Sequence, residues 1–199
     1  MRADKTSPNN DRAERKHLLL CDPAGVICDR LSCDKACVNS PLQCLNQAVT
    51  DPPDIILICF DTLSLHRRDT LLELCAVLKM NRYTRDCLIL ALLNSKHRMV
   101  VDALQNVGVD FVKFFHSDIL PSASLESIVE SLEERDKPEC NLGVLCRFLH
   151  YSEIDSQHEM TVCGAYLDRL VLAPGRLYDV CETDEHLHCE YFLKPRHKS

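Results

Sequence analysis

Tryptophan is absent from this 199-residue chain, and glycine numbers only 5. So few glycines leave little material for loops whose backbone amides cradle phosphates, and neither a Walker loop nor a Gly-x-Gly-x-x-Gly fingerprint is present. Long apolar runs are missing too. The longest, Ile55 to Phe60 and Cys87 to Leu93, fall far below the roughly 20 residues that cross a bilayer. Positive charge is in deficit, with a net charge of -7 and a pI of about 5.7, which disfavours nucleic-acid binding by bulk charge. No helix-turn-helix signature and no nucleophile–base triad are visible. The polar start, Met1 to His17, has five Lys/Arg, three Asp/Glu and no apolar stretch, so a secretory signal is not expected. The expectation is a cytoplasmic protein with no membrane association, its oligomeric state left open.

Cysteine, by contrast, is plentiful: 13 residues, close to the level of disulfide scaffolds. In a reducing compartment a disulfide framework is not expected, and metal or redox roles gain weight. The odd count excludes full pairing within the chain.

The apolar pattern organises most of the sequence. Residues 1–16 read as a polar tail. His17 to Cys21 reads as a short buried strand ending at Asp22-Pro23, and Ala36 to Val38 as a weak second strand. Pro41 to Val49 suits a short helix. Ile55 to Phe60 is apolar at every position, as a central parallel strand must be. Thr70 and Glu73 form a capping-box pattern ahead of Leu71, Leu74, Cys75 and Leu78 at helical spacing. Cys87 to Leu93 is another apolar strand. Asn94 or Ser95 is placed to cap a helix that ends at Gly108, and Val109 to Phe114 is a fifth strand. Ser124 opens a last helix carrying Leu125, Ile128, Val129 and Leu132. Strands alternating with helices predict an α/β fold, a doubly wound parallel five-stranded sheet in the flavodoxin-like order 2-1-3-4-5. Glu133 to Glu139 reads as a linker. Residues 136–199 then read as a small, irregular, Cys-rich module.

Residues 17–135 resemble the receiver domain of bacterial response regulators. The resemblance is carried by element order, by Leu20-Cys21-Asp22-Pro23 and Pro53-Asp54-Ile55-Ile56-Leu57-Ile58-Cys59 at strand ends, and by Ala103-Leu104 with Gly108-Val109-Asp110. The segment between the first and third strands is a few residues shorter than a receiver's, which leaves the first helix in question. The resemblance implies an acidic pair that holds Mg²⁺ after the first strand and a phosphoacceptor aspartate after the third. It also implies a Ser/Thr after the fourth and a Lys after the fifth, because metal and ammonium must neutralise phosphoryl oxygens during transfer. This chain departs at each position. Cys21 and Asp22 stand at the acidic pair, Cys59 at the phosphoacceptor, and Leu92 at the hydroxyl, while Lys113 comes about two residues early. Thiolates are poor partners for Mg²⁺, which prefers oxygen. Ordinary aspartyl phosphorylation is therefore not expected, and Asp61 lies two positions too far to replace the acceptor. Cys21 and Cys59 share one sheet edge, which leaves a redox pair, a soft-metal site or plain packing of small apolar residues. Cys75 and Cys87 read as core. Cys28, Cys33, Cys37 and Cys44 form no Cys-x-x-Cys.

Cys146, Cys163, Cys181 and Cys189 are the strongest chemical signal, with gaps of 16, 17 and 7 residues. A module of about sixty residues struggles to build a core alone and commonly uses a metal staple. Four thiolates suit Zn²⁺ or a [4Fe–4S] cluster, and the lack of tight Cys-x₂₋₄-Cys knuckles favours the cluster. The module resembles small cysteine-rich segments attached to regulators in anaerobic bacteria. His186 and His188 flank Cys189 and are candidate ligands, though an exposed pair is the simpler reading; His150 and His158 read as surface. Phe148, Tyr151, Tyr166, Tyr178, Tyr191 and Phe192 are expected to pack around the ligands.

The resulting expectation is a non-enzymatic signalling protein: a pseudo-receiver that docks a protein partner, coupled to a four-cysteine metal or iron–sulfur module. The alternatives are a phosphorelay response regulator with a structural zinc site, and a thiol redox protein using Cys21 and Cys59.

Overall fold

A computed structural model describes residues 16–25, 27–28, 36–60, 64–115, 125–167 and 170–196. Five strands, β1 (Leu18–Cys21), β2 (Ala36–Val38), β3 (Ile55–Phe60), β4 (Leu88–Leu93) and β5 (Phe111–Phe114), form one sheet. The order is β2-β1-β3-β4-β5 and every pair is parallel. This is the flavodoxin-like fold.

Helices cover both faces. α1 (Pro41–Thr50), α2 (Leu65–Met80) and α3 (Arg98–Asn106) pack on one side, where Leu19, Cys21, Ile56, Ile58, Ile89 and Ala91 meet Cys44, Cys75 and Val101. The other side sets Leu18, Leu20, Leu57, Cys59, Leu90 and Leu92 against α4 (Leu125–Glu130) and Ile27. β3 is buried at all six positions because both faces are covered. Each fully buried Leu or Ile contributes roughly 1.5–3 kcal/mol. Among the described residues no helix lies between β1 and β2, and Ile27 of that segment packs into the core.

Helix starts differ from the local signals. α1 begins as its sequence directs, with Pro41 in the first turn and the Ser40 hydroxyl accepting the Gln43 N–H at 3.3 Å. α2 begins at Leu65, five residues before the Thr70 capping-box pattern, and the Thr70 hydroxyl instead bonds back to the His66 carbonyl. Tertiary contacts hold this early turn: the Leu65 N–H donates to the Ser156 carbonyl at 3.1 Å, and Arg68 pairs with Glu159. α3 is capped by His97, not by Asn94 or Ser95; its Nδ1 accepts the Val100 N–H at 3.3 Å. Gly108 takes φ of 83° after α3, as the C-terminal cap requires. Ser124 and Asp61 lie outside the described residues.

Residues 133–139, read as a linker, form a 3₁₀ turn (Glu134–Asp136) and the start of α5 (Pro138–Val144). Leu142 and Leu145 pack into the first domain's larger core, so the chain leaves the sheet only after that point. Beyond it the module is not irregular. β6 (Leu149–Glu153), β7 (Glu159–Cys163) and β8 (Leu170–Val171) make an antiparallel sheet in chain order. Short helical segments follow: Pro174–Arg176 running into a wide turn Leu177–Cys181, a 3₁₀ turn Asp184–His188, and Glu190–Leu193. The short strands alternate weakly, with a polar outer face, so their pattern was hidden among His, Glu and Ser.

Candidate functional site

The carboxyl edge of the parallel sheet is where ligands bind in this class of fold. Here it is filled. Cys59 sits at the end of β3 opposite Leu92 on β4, and Leu92 in turn lies opposite Lys113 on β5. Cys59 and Leu92 are each 1% exposed and share an apolar cluster with Leu57, Leu90, Leu125 and Val129. β3 and β4 present no carboxylate or hydroxyl at this edge. Lys113 points elsewhere, donating to the Ser131 carbonyl at 3.0 Å and to the Asp136 carboxylate at 3.2 Å.

Among the described residues, Asp22 is the acid that directly follows a strand at this edge, and it is fully buried. Its carboxylate accepts backbone N–H groups from Gly25, Ile27 and Cys28 at 3.1, 2.7 and 2.9 Å. Gly25, at φ of 74°, lets the loop fold back onto the carboxylate. Asp22 thus organises the described part of the loop that follows β1. The same fold-back brings Cys28 beside β2, where a disulfide joins it to Cys37 across nine positions. The expectation of uniformly reduced thiols is corrected at this pair.

Cys21 and Cys59 share an edge but not a face. β1 and β3 register Cys21 with Ile58, so Cys59 falls in the next layer and points to the opposite side. Cys21 instead contacts Cys44 of α1, with Cys75 nearby. The Cys44 side chain and burial both push the Cys21 thiol far up, and burial pushes Cys75 up to about 12. The opposite faces remove the geometric basis for a Cys21/Cys59 redox pair, and the raised Cys21 thiol is poorly nucleophilic.

The second constellation is in the module. Cys146, Cys163 and Cys181 are buried in one cluster with Leu149, Ala165 and Leu172, and Cys189 is half-buried beside it. All six pairs among these four thiols lie within mutual electrostatic reach. Backbone amides turn toward the sulfurs: Phe148 toward Cys146, Ala165 and Tyr166 toward Cys163, and Phe192 and Tyr191 toward Cys189. Arg176 Nη2 also donates to Cys189 Sγ at 3.4 Å. Burial raises the Cys146 and Cys163 thiols and takes Cys181 up to about 12. At Cys189 burial is outweighed by the Phe192 amide, Arg176 and the Tyr191 amide, and the thiol is lowered. As placed, no three His, Cys, Asp or Glu side chains among the described residues are grouped to hold an ion.

His186 is not an exposed ligand candidate. It is buried, its Nδ1 lies 2.6 Å from the Thr183 carbonyl, and its ring meets Phe192 edge-on. The 3₁₀ turn points it inward while Glu185 and His188 remain outside. His150 and His158 are at the surface, as expected. Tyr178 is exposed, against expectation, whereas Phe148, Tyr151, Tyr191 and Phe192 pack on the cysteine cluster.

A third site was not foreseen. Where the module meets the N-terminal turns of α2 and α3, Glu159 accepts both Arg68 Nη atoms, at 2.8 and 3.2 Å. His97 Nε2 lies 2.6 Å from the same carboxylate, and its ring stacks on Tyr151 at 3.6 Å. Burial pushes the His97 imidazole down to about 4. Of the ring nitrogens, Nδ1 accepts the cap bond, while Nε2 is buried close to Glu159 without hydrogen-bond geometry to it. Burial works against the Glu159 carboxylate, but Arg68 and His97 outweigh it and hold its carboxyl below the ordinary range. Arg68 and Glu159 are 91 residues apart, so no local pattern announces the pair.

No family model matches the chain, and no curated protein is similar to it at a significant level. Among solved structures, the chain is similar to a response regulator from Desulfuromonas acetoxidans, with 18% identity and a TM-score of 0.40 over 58% of this chain and 98% of that one. It is also similar to the chemotaxis response regulator CheY4 of Vibrio cholerae, with 17% identity and a TM-score of 0.42 over 58% of this chain and 97% of that one. The fold assignment stands on the strand order and parallel register of the chain itself. Among the described residues no helix is long and apolar enough to cross a membrane.

Proposed function

We propose that this protein is a non-enzymatic signalling regulator. Its flavodoxin-like domain is a pseudo-receiver that docks a protein partner without being phosphorylated, and its C-terminal module is a four-cysteine site for Zn²⁺ or a [4Fe–4S] cluster. The observation that carries the reading is the filled carboxyl edge. Cys59 and Leu92 lie in an apolar cluster, Asp22 is saturated by three amides, and Lys113 is committed to Asp136. Among the described residues, a phosphoryl group there would meet no free metal ligand and no free cation, the two things its transfer needs.

The metal reading draws support from the convergence of four thiols from separate elements and from the amides turned toward three of them. N–H donors and Arg176 favour thiolate, the form a metal binds, at Cys189, while at Cys146, Cys163 and Cys181 burial outweighs the other influences and a metal would have to displace the proton. Of the neighbouring groups, the aromatic shell excludes water and Arg176 offsets negative charge at Cys189. When bound, the metal supplies folding free energy and, if it is a cluster, a one-electron couple.

Incubation with acetyl phosphate and Mg²⁺, read by intact mass, tests the pseudo-receiver. No base-labile phosphoryl adduct is expected. A stoichiometric adduct would overturn the reading in favour of a phosphorelay regulator with a structural zinc site.

A further inference from the structure

The disulfide between Cys28 and Cys37 joins two parts of the chain that are held very unequally. Cys28 stands at a fixed point. Its N–H donates to the buried Asp22 carboxylate at 2.9 Å, beside those of Ile27 and Gly25, and Ile27 is itself in the core. Cys37 lies in the middle of β2, which is only three residues long and forms an edge of the sheet. β2 is held by its parallel pairing with β1, by the Asp22 N–H that donates to the Val38 carbonyl at 2.9 Å, and by Val38, which packs with Cys44 and Ala48 of α1. Cys28 and Cys37 are both half-buried, whereas Cys21, Cys44 and Cys75 of the same domain are fully buried free thiols. A disulfide that reagents can reach is of the labile kind.

We infer that Cys28–Cys37 is a thiol–disulfide exchange site, and that its redox state sets whether β2 stays on the edge of the sheet. The reductant it takes is a dithiol. One thiolate of the dithiol attacks a sulfur of the pair, the S–S bond breaks, and the released cysteine takes up a proton. The second thiol of the reductant then closes that molecule's own disulfide, its proton passing to the other cysteine as it is freed. Two electrons thus pass to the protein, and both cysteines end as thiols. The cross-link limits how far β2 can stray from a point that Asp22 fixes. Once it is broken, the three carboxylate bonds still keep Gly25, Ile27 and Cys28 in place, while β2 retains only its pairing with β1 and the Val38 contacts. This asymmetry directs the loosening to one side. β2 opens, the Asp22 N–H loses the Val38 carbonyl, and the outer edge of β1 is uncovered. The four-cysteine module takes no part in this device.

The test uses the full chain. Arg30 and Lys35 lie between the two cysteines, so trypsin separates them unless they are bonded. In chain alkylated at lysis to prevent later oxidation, tryptic mapping is expected to find the Cys28–Cys37 cross-link. Dithiothreitol is expected to reduce this bond in the folded protein, as read by a second alkylation and intact mass. Amide exchange, followed residue by residue by nuclear magnetic resonance, is then expected to quicken by roughly tenfold or more at Asp22 and at the β2 amides paired with β1. Exchange at Ile27 and Cys28, and in β3 and β4, is expected to stay unchanged, and reoxidation to restore the slow rates. Cys37→Ser, or Cys28→Ser should the first not fold, is expected to exchange at the fast rate with or without dithiol. Absence of the cross-link from the alkylated chain overturns the inference, as does a cross-link that resists dithiol in the folded protein. Unchanged exchange at Asp22 and β2 after verified reduction also overturns it. So does equal quickening in β3 and β4, since the bond would then hold the whole domain and not its edge.

Discussion

Acidification is expected to weaken this protein through His97 before its carboxylates are protonated. The ring is buried, with its side chain 11% exposed, between the Arg68–Glu159 pair, Tyr151 and the first turn of α3. Its affinity for a proton falls from the ordinary 6.5 to about 4, chiefly because burial disfavours the cation, with Arg68 adding to the effect and Glu159 opposing it. A second proton would also sit on Nδ1, the atom that accepts the Val100 N–H. The unfolded chain therefore takes up a proton at a pH where the folded protein does not, and stability falls as pH drops from the unfolded value toward the folded one. The whole interval corresponds to about 3 kcal/mol, and the portion between neutral pH and about pH 5 to about 2 kcal/mol. That is a large fraction of an ordinary domain's stability. Urea unfolding across this range, for wild type and His97→Asn, measures it. Asparagine keeps an oxygen that can cap α3 but does not titrate. The wild type is expected to lose about 2 kcal/mol more than the variant over the interval. Parallel pH profiles for the two proteins would refute the reasoning.

Other perturbations have defined outcomes. Cys59→Asp, which restores the residue type of a receiver, is expected to lower stability by about 3 kcal/mol or more in thermal unfolding, because it buries a carboxylate among Leu57, Leu90 and Leu92. It is expected to gain no phosphoryl adduct by intact mass. Asp22→Ala strands three backbone amides, one of them the buried Ile27 N–H, and is expected to cost about 2–4 kcal/mol in urea unfolding. Arg68→Met leaves the Glu159 carboxylate half-buried without its fork and is expected to cost about 2 kcal/mol by the same measure.

The sequence carried the sheet because its strands are buried on both faces. Runs such as Ile55 to Phe60 have no other physical home than the middle of a parallel sheet. The apolar carboxyl ends of β3 and β4 were readable for the same reason, since Cys59 and Leu92 continue their apolar runs. The relation between Cys21 and Cys59 was not, because it depends on a register in which Cys21 faces Ile58, one residue short of Cys59. Helix starts failed where distant residues supplied the bonds. The first turn of α2 is held by Ser156 and Glu159, and α3 is capped by a histidine whose ring is locked by a strand of the other module. His186 was misread because its neighbours are acidic, while the period of a 3₁₀ turn, not of a strand, decides which residue faces inward. The four module cysteines were identified from spacing alone. Their gathering in one cluster comes from short strands and single-turn helices too weak to announce themselves.

Metal content of the anaerobically purified full chain tests the central claim most directly, with zinc and iron measured per chain and the visible spectrum recorded. The account predicts either about four irons with a broad absorbance near roughly 400 nm, or about one zinc in a colourless protein. In both cases Cys163→Ser is predicted to abolish stoichiometric binding. A folded protein that carries neither metal in stoichiometric amount, or one whose metal survives replacement of Cys163, would contradict it.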